Sequence, residues 1–196
     1  MAMKKKIDMQ GDVFSGISAV YLIKGGIVTS DGTGTISEDN CVEAPVSEDS
    51  GFNFQGGTPS VNHFKIHGMT GDWTNRFTPG DGELTLEIPC EENSVLDMVY
   101  GTAGTDTTLT LPTSISVGGA NKVKGKGRSF AQKAVYLGIL VLNDTEDKVL
   151  WIKKGKFVAT PAFDGGDKPY AITLTGALSS ASDADAYGIA EASAEP

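Results

Sequence analysis

Long apolar runs, histidine and cysteine are all scarce in this 196-residue chain, and each scarcity narrows what it can do. No stretch approaches the ~18 consecutive apolar residues of a membrane-spanning helix, so no bilayer span is expected. The opening Met1-Ala2-Met3-Lys4-Lys5-Lys6 has the charge of a secretory leader. Asp8 and Asp12 then interrupt the place where a leader's apolar core belongs, and a soluble product is expected. The two histidines, His63 and His67, have a spacing that would suit a zinc pair on a helix. Their surroundings are strand-like, where four residues span ~13 Å, too far for one ion to take both. Cys41 and Cys90 show neither the spacing of a metal finger nor that of a redox motif. There is no Gly-x-Ser-x-Gly elbow, and neither cysteine has a histidine close by in sequence. No catalytic residue, no cofactor and no metal is therefore expected.

Glycine is abundant, at 25 residues, while apolar residues make up 39%. Glycine costs backbone entropy inside regular elements, so this balance favours turns, bulges and short strands. A net charge of −9 argues against a nucleic-acid clamp. The charge is uneven, because residues 121–156 hold nine basic and three acidic side chains while acidic groups prevail elsewhere. Such asymmetry can set unlike patches of neighbouring subunits against each other, and an ordinary solvated face accounts for it as well.

The predicted fold is mostly β, an antiparallel barrel or sandwich with one short flanking α-helix. Residues 17–23 are rich in β-formers and stop at Gly25-Gly26. Residues 29–60 are crowded with turn signals, leaving room for only short strands, and are expected to form a long loop or arm. Residues 61–67 read as a strand, followed by a polar connection over 68–82 that contains Trp73. Leu84, Leu86 and Ile88 alternate with Thr85 and Glu87, the pattern of a strand with one wet face. The helix is predicted over 93–101, capped by Asn93 or Ser94, with Asp97 early and Gly101 ending it. Residues 107–117 offer two short strands around Pro112, and 118–129 form a glycine- and lysine-rich connection, making 102–129 a second long loop. A hairpin follows from 134–142 and 149–152, then short strands at 156–160 and 170–175. Residues 1–178 are expected as a single domain and 179–196 as a loosely packed tail.

The remaining chemistry is thin. Lys122-Val123-Lys124-Gly125-Lys126-Gly127-Arg128-Ser129 invites a phosphate-loop reading, but Ala120 and Gly127 stand where that motif needs Gly and Ser or Thr. Glu38-Asp39, Glu48-Asp49 and Glu91-Glu92 are acidic pairs of the kind any acidic surface carries. Asn143-Asp144-Thr145 fits a glycosylation triplet, a match common by chance. Trp151 reads as core or interface. Trp73, in a polar loop, is a candidate anchor for a partner, and Lys122, Lys124, Lys126 and Arg128 are candidate subunit contacts.

Three pieces of the chain resemble phage tail tube (major tail) proteins and their relatives in contractile injection systems. One is Gly82-Glu83-Leu84-Thr85-Leu86-Glu87-Ile88-Pro89 leading into Ser94-Val95-Leu96-Asp97-Met98-Val99-Tyr100-Gly101. The second is the hairpin from Tyr136-Leu137-Gly138-Ile139-Leu140-Val141-Leu142 to Val149-Leu150-Trp151-Ile152. The third runs from Phe157-Val158-Ala159-Thr160-Pro161 to Tyr170-Ala171-Ile172-Thr173-Leu174-Thr175-Gly176. The resemblance implies a subunit that forms hexameric rings stacked into a hollow tube, with copies of itself and other tail proteins as partners. DNA would pass without sequence-specific binding, and no small-molecule ligand is implied. The implied location is the virion tail, after synthesis in a bacterial cytoplasm, from a phage or a prophage. Segments 29–60 and 102–129 would match the family's two long excursions. The alternative from the residues alone is a β-sandwich module that binds carbohydrate or protein.

Overall fold

The computed structural model describes residues 14–30, 33–46, 51–68, 70–71, 74–129, 133–163, 165, 169–178 and 186–192. The fold is mostly β, with antiparallel sheets and one short helix. In chain order the elements are β1 (Ala19–Lys24), β2 (Thr29–Ser30), β3 (Thr33–Gly34), β4 (Cys41–Ala44), β5 (Phe52–Phe64), β6 (Thr74–Ile88), α1 (Asn93–Tyr100), β7 (Thr105–Thr110), β8 (Lys122–Gly127), β9 (Val135–Leu142), β10 (Lys148–Ala162), β11 (Ala171–Leu178) and β12 (Tyr187–Glu191). The main sheet runs β4-β1-β9-β10-β11-β6-β5, with β12 added on β10, while β2-β3 and β7-β8 are separate two-stranded ribbons.

Strand β10 turns the sheet. Its first part, through Ile152, pairs with β12, and its second part, from Gly155, pairs with β11. On its other side it pairs with β9 through a register shift between Ile152 and Gly155. An irregularity of this kind bends and twists a strand. Phe54 of β5 meets Tyr187 of β12 edge to face at 5.4 Å, so these two strands approach each other without sharing a ladder.

The alternating apolar side chains of these strands converge on one core, with Leu22, Leu84, Leu86, Ile88, Leu137, Ile139, Ile152, Phe157, Ile172 and Leu174 wholly buried. Helix α1 is too short to persist alone in water. It is held by Val95, Leu96 and Val99, each buried in that core and each worth roughly 1.5–3 kcal/mol of transfer free energy. Its start differs from expectation: Glu92 is the N-cap, and its carboxylate accepts from the Ser94 amide at 3.5 Å. Its end is as read, with Gly101 at φ 66°. A Cβ there would stand 2.5 Å from Val135 Cγ1, so glycine is required on both counts.

Four stretches depart from the sequence reading. Residues 29–60, expected as an arm of short strands and turns, contribute β4 to the main sheet and most of the long strand β5. The expected connection over 68–82 is largely β6, which reaches back to Thr74. The glycine- and lysine-rich connection over 118–129 contains β8, paired along its length with β7, and of the second strand expected after Pro112 only an isolated bridge from Val117 to Ala120 exists. Within the expected loose tail, β12 pairs with β10, and Lys148 Nζ lies 3.5 Å from Glu191. In each case backbone hydrogen bonds to a partner strand make a strand where side-chain patterning gives no signal.

The β9–β10 turn is built around Asn143, which is buried. Its side chain donates to Thr145 Oγ1 and Asp147 Oδ1 and accepts from the Lys148 amide. The Thr145 hydroxyl also donates to Asp147 Oδ1, and that bond first, then the one from Asn143, holds the Asp147 carboxyl below its ordinary range. An amide committed in this way is unsuited to carry a glycan.

Candidate subunit-contact surface

Two antiparallel ribbons leave the core. The first is the outer part of the β5–β6 hairpin. Near the core, Phe52 faces Leu86 and Phe54 faces Leu84, and then the register shifts on both sides of the Gly57–Gly80 pair. A Cβ on Gly57 would fall 2.1 Å from the Gly80 carbonyl carbon, and one on Gly80 would fall 2.5 Å from the Thr58 carbonyl oxygen. Only two glycines allow the backbones to approach so closely. Beyond this crossing the hairpin is mostly exposed, and it holds Phe77 at 64% and Phe64 at 49% exposure, with Ile66 just past the strand end. Beside the crossing, Gln55, Gly56, Gly57, Thr58, Gly80, Asp81 and Glu83 line a recess of about 360 Å³.

The second ribbon is β7–β8. Leu109 faces Val123, and Thr110, Thr108 and Asp106 face Lys122, Lys124 and Lys126. Alternation puts the three lysines on one side of the ribbon. Leu109, Ile115 and Val117 are exposed on this ribbon and its turn. Its base is latched to α1. The Arg128 guanidinium donates to the Asp97 carboxylate, to Asn93 Oδ1 at 3.3 Å and to the Thr102 carbonyl at 3.4 Å, and it lies 5.5 Å from the centre of the Tyr100 ring. Asp97 also accepts from the Gly104 amide at 3.1 Å and has Lys126 Nζ at 3.7 Å. Burial alone would raise the Asp97 carboxyl, but Arg128, the Gly104 amide and Lys126 outweigh it and hold the group below its ordinary 3.8.

Between the latch and the end of β10 lies a groove of about 670 Å³, with Tyr100, Phe163 and Tyr170 as aromatic walls and Lys126, Arg128 and Glu91 as charged ones. Burial first, then the neighbouring Tyr170, push the Tyr100 phenol up to about 12, against an opposing effect of Arg128.

The structure thus divides the expected contact residues. Lys122 and Lys124 are exposed on the ribbon, Lys126 is half committed to Asp97, and Arg128 serves inside the subunit with only 14% of its side chain exposed. Trp73 lies outside the described residues. Sequence reasoning placed Asp97 as a favourable early helix charge and missed its role as the latch's acceptor. The only signal was the approach of a carboxylate-bearing helix and a basic segment, which sequence does not reveal. The exposed apolar residues Phe64, Phe77 and Leu109 were missed because single apolar side chains in polar, glycine-rich strings show no period.

Among the described residues, no three or more His, Cys, Asp or Glu side chains are grouped so as to hold a metal ion, and no helix is long and apolar enough to cross a membrane. Cys41 and Cys90 are free thiols, and burial pushes the Cys41 thiol up. No protein-family model matches the chain, and no curated protein matches its sequence.

Proposed function

We propose that this chain is a structural subunit that assembles with copies of itself, specifically into hexameric rings stacked as the hollow tube of a phage-type tail. In this reading the curved main sheet around α1 is the barrel or sandwich core, and the virion tail, with its other tail proteins, is the setting. The tube passes DNA without reading its sequence, and the subunit performs no catalysis.

The observation that carries the reading is the pair of ribbons extending from a well-packed core with apolar side chains in water. Phe77, Phe64 and Leu109 are 64%, 49% and 56% exposed in the isolated chain. Covering that remaining surface with a neighbour would contribute about half of the roughly 1.5–3 kcal/mol of a full burial for each. The main sheet also ends in β4 and β5, which have one side unpaired among the described residues, and edges of this kind become joints in a closed ring.

A double Phe64→Ser/Phe77→Ser variant tests this. Its circular dichroism should match the parent, while assembly at high concentration, followed by light scattering, should fall sharply. Assembly unchanged by both substitutions would show that the hairpin is not a joint.

The aromatic groove favours a second reading, a β-sandwich module that binds carbohydrate or protein. Chemical-shift changes confined to Tyr100, Phe163 and Tyr170 on titration with a glycan panel would support it, and an unresponsive groove would remove it.

A further inference from the structure

We propose that the Lys122–Lys124 face of the β7–β8 ribbon on one copy docks into the recess beside Asp81 and Glu83 on a second copy. This rests on the self-assembly reading and names the surfaces that would carry it.

Lys122 and Lys124 are both exposed, sit on one side of β8, and have no ion-pair partner among the described residues. Lys126, the third member of the row, points at Asp97 and so fixes which side of the ribbon the row occupies, the side that faces α1. Asp81 and Glu83 likewise have no ion-pair partner among the described residues. Both are exposed: Glu83 is opposite in phase to the buried Leu84, Leu86 and Ile88, and Asp81 lies just beyond it, at the register shift of the hairpin. They line a recess of about 360 Å³ together with Gln55, Thr58 and the glycines Gly56, Gly57 and Gly80.

Alternate residues of a strand lie ~6.6 Å apart, so Lys122 and Lys124 present a pair of ammonium groups on one side of β8, and Asp81 and Glu83, two residues apart on β6, present a pair of carboxylates at one recess. Three glycines among the lining residues leave space that lysine stems can fill, and desolvated pairing of this kind fixes register as well as sign. Donor and acceptor occupy different places on the same chain. The contact is therefore head to tail, and it propagates from copy to copy into a ring or a filament. A nucleic-acid strand is a poorer occupant for the lysine row, since the row offers two exposed cations on a chain of net charge −9.

The experiment is a charge swap on the full chain. One variant carries Lys122→Glu and Lys124→Glu, the other Asp81→Lys and Glu83→Lys, and association is measured by sedimentation velocity at low and high salt. Each variant alone should associate about tenfold or more weakly than the parent, because like charges then face each other. An equimolar mixture should recover association, because each donor again finds an opposite acceptor. If the parent assembles and both variants assemble as well as it does, or if mixing restores nothing, the docking is wrong while the self-assembly reading stands. A parent that never associates overturns both. Binding of duplex DNA by the parent that is lost in the Lys122→Glu/Lys124→Glu variant, with self-association unchanged, would assign the row to nucleic acid and also overturn the docking.

Discussion

Replacing Arg128 with alanine should free the β7–β8 ribbon while leaving the core intact. The guanidinium makes the ribbon's strongest tie to α1, through Asp97, Asn93 and Thr102, and lies over Tyr100. A hydrogen bond to a charged group is worth roughly 1.5–3 kcal/mol, and a partly exposed cation–π contact about 0.5–1 kcal/mol. Asp97 is not orphaned by the change, since the Gly104 amide and Lys126 stay within reach. The expected cost is therefore about 2–3 kcal/mol, nearer the lower end of the combined range, confined to the ribbon. Hydrogen exchange should show amides of 105–110 and 122–127 losing protection by roughly 30- to 150-fold, with β9 unchanged. Acid should act on the same latch. The Asp97 carboxyl is depressed in the fold, so its stabilisation is complete above 3.8 and is lost as pH falls below that value through the folded one. Equal loss of protection in β9, or none in the ribbon, would refute the latch.

Three further outcomes follow from the packing. Phe157 is wholly buried, and its ring occupies the space over Gly155 and Gly176, so Phe157→Ala should cost about 3–5 kcal/mol in denaturant unfolding. Gly101→Ala should lower stability by about 1–3 kcal/mol, since it combines a left-handed backbone with a clash on Val135. Tyr100 is expected to ionise late, near 12, in an alkaline absorbance titration, and Tyr100→Phe should remove that late step. Because its phenol is raised above the ordinary 10.0, the stability it contributes is present below that value and is lost as pH climbs towards 12.

The core was readable and the surface was not, for one physical reason. The inner part of β6 alternates apolar and polar residues because one face is buried, β1 and β9 are near-continuous runs of apolar β-formers, and α1 ends at Gly101 because its backbone demands it. The outer parts of β5 and β6, and all of β7, β8 and β12, are wet or nearly so on both faces. Their order comes from pairing with a neighbour, so no period marks them, and glycines that serve close backbone approach at Gly57 and Gly80 read as turn signals. The candidate surface shares that limit. The lysine row was visible as composition, but its one-sided display needed β7 as partner, and the inward commitment of Arg128 needed α1 beside it.

Negative-stain electron microscopy of the purified chain at high concentration tests the central claim of self-assembly most directly. Six-fold rings, alone or stacked into tubes, are the expected result. A protein that stays strictly monomeric at every concentration, with a glycan bound in the groove beside Tyr100 and Tyr170, would contradict it.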